Sequence, residues 1–242
     1  MVLSAFCPSV PLLWYPVTWA GQQTPNGIMA HRHCLHFGMI SIYQLKPRFQ
    51  SLLRPLARAL AAFGITANAI TILTMLASCA IGAFLLVTDN QGWFLLLPFW
   101  MLIRMALNAI DGMLAREFGQ QTALGAYLNE LTDVVSDAAL YLPFVAVPPF
   151  GCGSIGAVIF LACLSEMAGA LGPMVGALRR YDGPMGKSDR AVVFGGLGLW
   201  LGLAHSLPPW VFWLMPAIST LIILNIVNRT FNGLKQAATT PK

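Results

Sequence analysis

Charge is what this sequence has least of. Only 10% of its 242 residues are Asp, Glu, Lys or Arg, against about a quarter in a soluble globular chain. So few charges cannot clothe a globule in polar surface, which excludes an ordinary water-soluble domain and implies a lipid setting. Acid is scarcer than base: nine Asp and Glu stand against 14 Lys and Arg. Cysteine is sparse too. The five present, Cys7, Cys34, Cys79, Cys152 and Cys163, are odd in number, and no two have C-x2-C spacing. That gives neither a disulfide framework nor metal-ligand spacing, and they read as small apolar packing residues. A P-loop is also missing. GPMGKS at 183–188 lacks the G-x4-G-K-[ST] spacing and a preceding strand.

Apolar residues are abundant: 57% of the chain is hydrophobic, with a mean hydropathy of +0.70. Polar punctuation cuts this material into spans of roughly 20 residues, the length that crosses a bilayer core. Six are expected, near 67–87, 93–115, 123–147, 154–178, 191–206 and 209–228. Ahead of them, Leu45, Phe49, Leu52, Leu56, Leu60 and Phe63 recur at helical spacing. Lys46, Arg48, Arg54 and Arg58 fall mostly off that stripe, as in a helix lying among headgroups. Pro47 suits its first turn, and Pro55 is expected to kink it. The expected fold is all-α: a polytopic membrane protein of six transmembrane helices preceded by an amphipathic interfacial helix. Its expected parts are an interfacial helix over 39–65, a transmembrane domain over 66–230 and a cytoplasmic tail over 231–242. Residues 1–38 lack periodicity and a basic leader, and three prolines interrupt residues 2–19. They are expected to be a non-native or disordered extension, with Met39 as the natural start.

Orientation follows from the basic residues. Thirteen of the 14 lie before the first span, between the second and third, between the fourth and fifth, or after the sixth. The opposite connectors, near 88–92, 148–153 and 206–208, hold none. The positive-inside rule makes the basic side cytoplasmic, and an even span count puts both termini there. The net charge of +5 is thereby explained by the membrane surface, and nucleic acid is not expected as a partner.

Several charges fall where lipid should be: Arg104, Asp111, Glu130, Asp133, Asp137 and Glu166. Each costs roughly 2.5–3.5 kcal/mol at a helix centre, so each needs a partner or a polar cavity. Aspartate is too short to snorkel to water. Arg104, Asp137 and Glu166 are expected to form one buried cluster. Asn108, Asp111, Gly112 and Ala115 share one face of the second span, and Gly125, Asn129, Asp133 and Asp137 share one face of the third. The two spans join at the cytoplasmic side. Oxygen ligands facing each other there suit a hard divalent cation such as Mg or Mn. Small Gly112, Ala115 and Gly125 would let backbone or ligand come close. A packing seam with a buried hydrogen-bond network is the bland alternative.

The segment NAIDGMLAREFGQQTALGAYLNELTD, residues 108–133, resembles the signature D-x2-D-G-x2-A-R-x8-G-x3-D-x3-D of the CDP-alcohol phosphotransferase family. Asp111, Gly112, Ala115, Arg116, Gly125 and Asp133 match at the required spacing. GITANAIT at the first span and the six-span layout extend the likeness over about 40–230, and YDGPMGKSDRA is similar to a bacterial inner-membrane branch. Two signature aspartates are Asn108 and Asn129 here, which removes two negative charges.

The resemblance implies a phosphotransferase of phospholipid synthesis that moves a phosphatidyl or related group from a CDP-activated donor to an alcohol with release of CMP. It implies divalent cations, CDP-diacylglycerol or a similar donor, an alcohol acceptor, surrounding membrane lipids and a homodimer. It gives Asp111, Asp133, Asn108 and Asn129 as metal ligands and Asp133 as general base. Gly112, Ala115, Arg116 and Gly125 would line the nucleotide site, with Arg116 an interfacial anchor as an alternative. Lys187 and Arg190 could hold a phosphate or simply belong to a positive-inside loop. A weakened relative that binds nucleotide or lipid or scaffolds partners stays open, as does, less readily, a small transporter.

Overall fold

The computed structural model describes residues 45–239, with side chains described from residue 49 on. The expectations for residues 1–38 and for the last three residues lie outside that range. Seven α-helices make up the described chain: α1 Leu45–Ala62, α2 Ala67–Val87, α3 Leu96–Glu117, α4 Ala123–Tyr141, α5 Cys152–Ala170, α6 Lys187–Ala204 and α7 Leu214–Thr239. Single 3-10 turns lead into α3 and α7 and follow α4 and α5.

The apolar pattern explains the elements. Among the described residues four helical stretches are long and apolar enough to cross a membrane: Ala67–Val87, Gln91–Glu117, Cys152–Ala170 and Pro209–Thr239. The all-α membrane architecture expected from sequence is thus present. α4 and α6 fall short by composition, because Glu130, Asp133 and Asp137 sit in one and Lys187, Asp189 and Arg190 in the other. Large apolar side chains point outward around the bundle: Leu73, Phe99, Leu102, Phe160 and Leu203 are each more than three-fifths exposed. A soluble monomer rarely shows so much apolar surface, and lipid is its natural cover.

The two ends differ. Trp93, Trp210 and Trp213 gather where α2 meets α3 and α6 meets α7, and Trp200 packs against Trp210. Such aromatic belts mark a membrane–water interface. The interior near this end is apolar, with Tyr141 stacked on Phe194 and Phe144 set edge-on to Phe94 and Phe194. Gly82 lets α2 and α4 cross closely: a Cβ there would stand 2.1 Å from the Ala139 carbonyl oxygen.

The other end is basic. There α1 lays Leu53, Ala57, Leu60 and Ala61 against Ile110, Met113 and Leu114 of α3. Leu52 and Leu56 of α1, and Phe63 just after it, stay outward. Pro55 lies inside α1 without ending it. The Arg54 guanidinium grips the Glu117 carboxylate with two of its nitrogens, Nε at 3.1 Å and Nη2 at 3.0 Å, and ties α1 to the end of α3.

Candidate functional site

The site begins with the turn that brings α3 and α4 together. Thr122 caps α4, its hydroxyl accepting from the Gly125 N–H at 2.9 Å. Thr66 caps α2 in the same way, from Ala69 N–H at 3.2 Å. Gln120 joins the two starts: its Oε1 accepts from Ala67 N–H at 2.7 Å. Gly125 faces α2 closely, since a Cβ would meet Asn68 Oδ1 at 2.7 Å. These satisfied helix ends fix the register in which α2, α3 and α4 present polar residues to one another.

Asp111 is buried on α3, and its Oδ2 accepts from the Thr71 hydroxyl of α2 at 2.9 Å. Asp133 on α4 is half-buried. Its Oδ1 receives Asn108 Nδ2 at 3.1 Å, Arg104 Nη2 at 3.5 Å and the Lys187 ammonium. Arg104 Nη2 also donates to the Asp133 carbonyl at 3.1 Å. Asn108 and Asp133, singled out from sequence on two spans, and Lys187, singled out in the loop before the fifth, therefore lie at one locus, with Asp111 one turn along α3 from Asn108. Asn129 is partly exposed on α4, one turn before Asp133. Gly112 and Ala115 follow Asp111 along α3, while Arg116 is exposed and folds its guanidinium back beside Gly112.

Deeper in, the structure joins Arg104 to Asp137, as sequence predicts, and adds what spacing did not reveal. Arg190 is fully enclosed, with Nη2 2.9 Å from Glu166 Oε1 and 3.3 Å from Asp137 Oδ2. Arg229 of α7 approaches Glu166 at 3.6 Å and donates to the Ser165 carbonyl at 2.6 Å. Arg179 pairs with Glu130 and stands 3.8 Å from Glu166. α5 ends at Ala170, so Glu166 sits about one turn from its end and not at the 18 Å or so of depth expected from a span reaching 178. Arg190 belongs to the first turn of α6, not to the loop before it.

The loop into α6 is pinned from α7. Asn225 is buried; its Nδ2 donates to the Pro184 carbonyl at 2.7 Å, while its Oδ1 accepts from the Ser165 hydroxyl at 2.9 Å. Gly183, at a φ of +114°, packs directly against Asn225. Arg190 donates to the Met185 carbonyl at 3.2 Å, and Asp189 accepts from the Gly186 N–H at 3.0 Å. Partial burial pushes the Asp182 carboxyl up, but hydrogen bonds from Arg180 at 2.8 Å and Asn232 at 2.6 Å outweigh it and hold it below its ordinary value. These contacts fix where α6 begins, and so where Lys187 stands.

The donor set can be tested against a divalent cation. Among the described residues no three His, Cys, Asp or Glu side chains gather as a metal-binding group. Asn108 aims its amide nitrogen at Asp133, because its oxygen would face the carboxylate with like partial charge. Two carboxylates and a carboxamide do not make a two-ion cage. They fit one magnesium- or manganese-like ion, which is typically held by one or two carboxylates with substrate phosphates and water completing its shell.

The chain resembles known proteins in sequence and in fold. The CDP-alcohol phosphatidyltransferase family model matches residues 64–225. Inner membrane protein YnbA of Escherichia coli strain K12 is 45% identical over 203 residues, 82% of this chain and 99% of that one. A phosphatidylinositol phosphate synthase of Mycolicibacterium smegmatis is 32% identical over 130 residues, 52% of this chain and 56% of its own. The fold is that of the Mycobacterium tuberculosis phosphatidylinositol phosphate synthase. Its crystal structure with CDP-DAG bound gives a TM-score of 0.61 at 24% identity, covering 77% of this chain and 94% of that one. Its complex with manganese and citrate gives 0.59 at 23% identity, covering 77% and 89%.

Proposed function

This chain belongs to the CDP-alcohol phosphatidyltransferase family, and we propose that it transfers a phosphatidyl or related phospho-alcohol group from a CDP-activated lipid to an alcohol, releasing CMP at the cytoplasmic face of the inner membrane. The observation that carries this is the convergence of Asn108 of α3 and Lys187 of α6 on Asp133 of α4, with Asp111 one turn along α3 from Asn108 and within electrostatic reach of Asp133 and Lys187, at the basic end of the bundle.

In this reading all of α2 to α7 cross the membrane. α4 has 19 residues and α6 has 18, long enough at about 1.5 Å each to span most of the hydrocarbon core. Their charges face one another and not the lipid. The basic end is cytoplasmic by the positive-inside rule.

The reaction is a displacement at phosphorus. The acceptor hydroxyl oxygen forms a bond to the donor's lipid-bearing phosphorus. The bond from that phosphorus to the oxygen of CMP breaks, and CMP departs with the electron pair. A divalent ion bound here would supply charge neutralisation for the diphosphate. Asp133 takes the hydroxyl proton: its contacts from Asn108, Arg104 and Lys187 all fall on Oδ1, so Oδ2 is the oxygen left for it. Asp111, held by Thr71, would hold the ion, with Asn129 and Asp133 as the other candidate ligands. Gly112 and Ala115 leave room for the nucleotide, and Arg116 closes over them.

The test is release of CMP from CDP-diacylglycerol by the purified chain with magnesium or manganese and a panel of alcohols, with the lipid product read by mass spectrometry. Metal-dependent CMP release with a new phospholipid supports the reading. The two asparagines favour one rival, a relative that binds CDP-lipid without transferring it. Binding without CMP release from any alcohol would establish that instead.

A further inference from the structure

We propose that Lys187 takes the place of one of two divalent cations, standing as a fixed ammonium on Asp133, so that this site works with a single metal ion. This rests on the transfer reading above and specifies how its charge is balanced.

The argument starts from charge. Four aspartates with two divalent ions, as the signature implies, make a neutral set. Here Asn108 and Asn129 leave only Asp111 and Asp133. Two divalent ions on that pair would leave a net charge of about +2, and Lys187 would raise it to about +3, inside helices where uncompensated charge is costly. One ion with Lys187 leaves about +1, which a diphosphate readily offsets. Lysine is also the right cation for such a place, because its ammonium is a compact point charge with three donors.

Geometry agrees. Lys187 and Asn108 meet the same oxygen of Asp133. An aspartate at 108 would face Asp133 as a like charge needing a cation between them; the asparagine amide turns that repulsion into a 3.1 Å hydrogen bond. Asn108 and Lys187 therefore act together: one removes a negative charge and the other adds a positive one. Nor is Lys187 a wandering surface side chain. It opens α6, it is partly buried, and the turn before it is held by Asn225, Arg190 and Asp189.

The test counts metal ions directly and needs no turnover. Manganese is titrated into the purified full chain with CDP present, and bound ion is read by electron paramagnetic resonance. The wild type should bind one ion per chain. Lys187→Met should bind that ion roughly tenfold more tightly or better, since a like charge has been removed from its neighbourhood, while Lys187→Arg should not. Asn108→Asp with Asn129→Asp and Lys187→Met should bind two ions and show a spin-coupled pair. Native elution on size exclusion screens out misfolded variants. A wild type that binds two ions overturns the proposal, as does a Lys187→Met affinity equal to or weaker than wild type. If wild type binds none and Lys187→Met binds one, the role of Lys187 stands and the single-ion reading of the enzyme falls. If neither binds, both fall.

Discussion

The Thr71 hydroxyl donates to Asp111 Oδ2 at 2.9 Å, while the same oxygen of Thr71 lies 3.0 Å from the Ala67 carbonyl of its own helix. α2 thus holds the carboxylate of α3 in one orientation. Thr71→Val keeps the shape and removes the hydrogen bond, worth about 1.5–3 kcal/mol when the acceptor is charged. CMP release should fall roughly ten- to hundredfold, and the melting midpoint in detergent should drop by several degrees. Full activity in Thr71→Val would show that this contact does not orient the ligand.

Arg190 is the hub of the buried charges, since among the described residues it alone pairs with both Asp137 and Glu166. Arg190→Met leaves Glu166 to Arg179 and Arg229 at longer range and weakens the hold on Asp137. Breaking such a pair typically costs about 3–5 kcal/mol. A large drop in the unfolding midpoint is expected, to be measured by thermal melting in detergent. An unchanged midpoint would mean that the cluster relaxes without it.

Asn225→Ala removes the clamp on Pro184 and the packing partner of Gly183. The turn before α6 should loosen. Trypsin should then cut faster at Arg179, Arg180 or Lys187, and CMP release should fall with it. Unchanged cleavage and unchanged activity would contradict a positioning role for Asn225.

Gly82→Ala places a methyl where the Ala139 carbonyl oxygen already stands. α2 and α4 must separate, at a cost of about 1–3 kcal/mol. Monodisperse yield after purification should drop, and the Thr66 and Thr122 ends would shift with it. A wild-type yield and melting point would show that the crossing has slack.

How far the sequence discloses all this depends on the range of the interaction. α2 runs over the very residues that apolar content and the GITANAIT segment mark, because a capped apolar helix is a local matter. Asp111, Gly112, Ala115, Gly125 and Asp133 are legible because their spacing lies within one helical hairpin. The Arg104–Asp137 pair is legible from depth alone, since an arginine in lipid must find an acid. The buried pairing of Arg190, and Arg229, Asn225 and Thr71 altogether, were not legible. Each acts on a partner at least 24 residues away in another helix, and no period in the chain records which helices touch. Arg190 and Lys187 also stand at a span boundary, where basic residues read equally well as membrane-surface charge. The counting of spans failed to foresee how Glu166 sits, because the 3-10 turn at Gly172–Val175 ends α5 early.

The central claim is transfer at Asp111 and Asp133, and the most direct measurement is metal-dependent CMP release from CDP-diacylglycerol by wild type, Asp111→Asn and Asp133→Asn, each verified as folded by size exclusion. The account predicts release by the wild type with at least one alcohol, and a loss of about a hundredfold or more in both variants, the scale of removing a general base. Full metal-dependent release by both variants would contradict it.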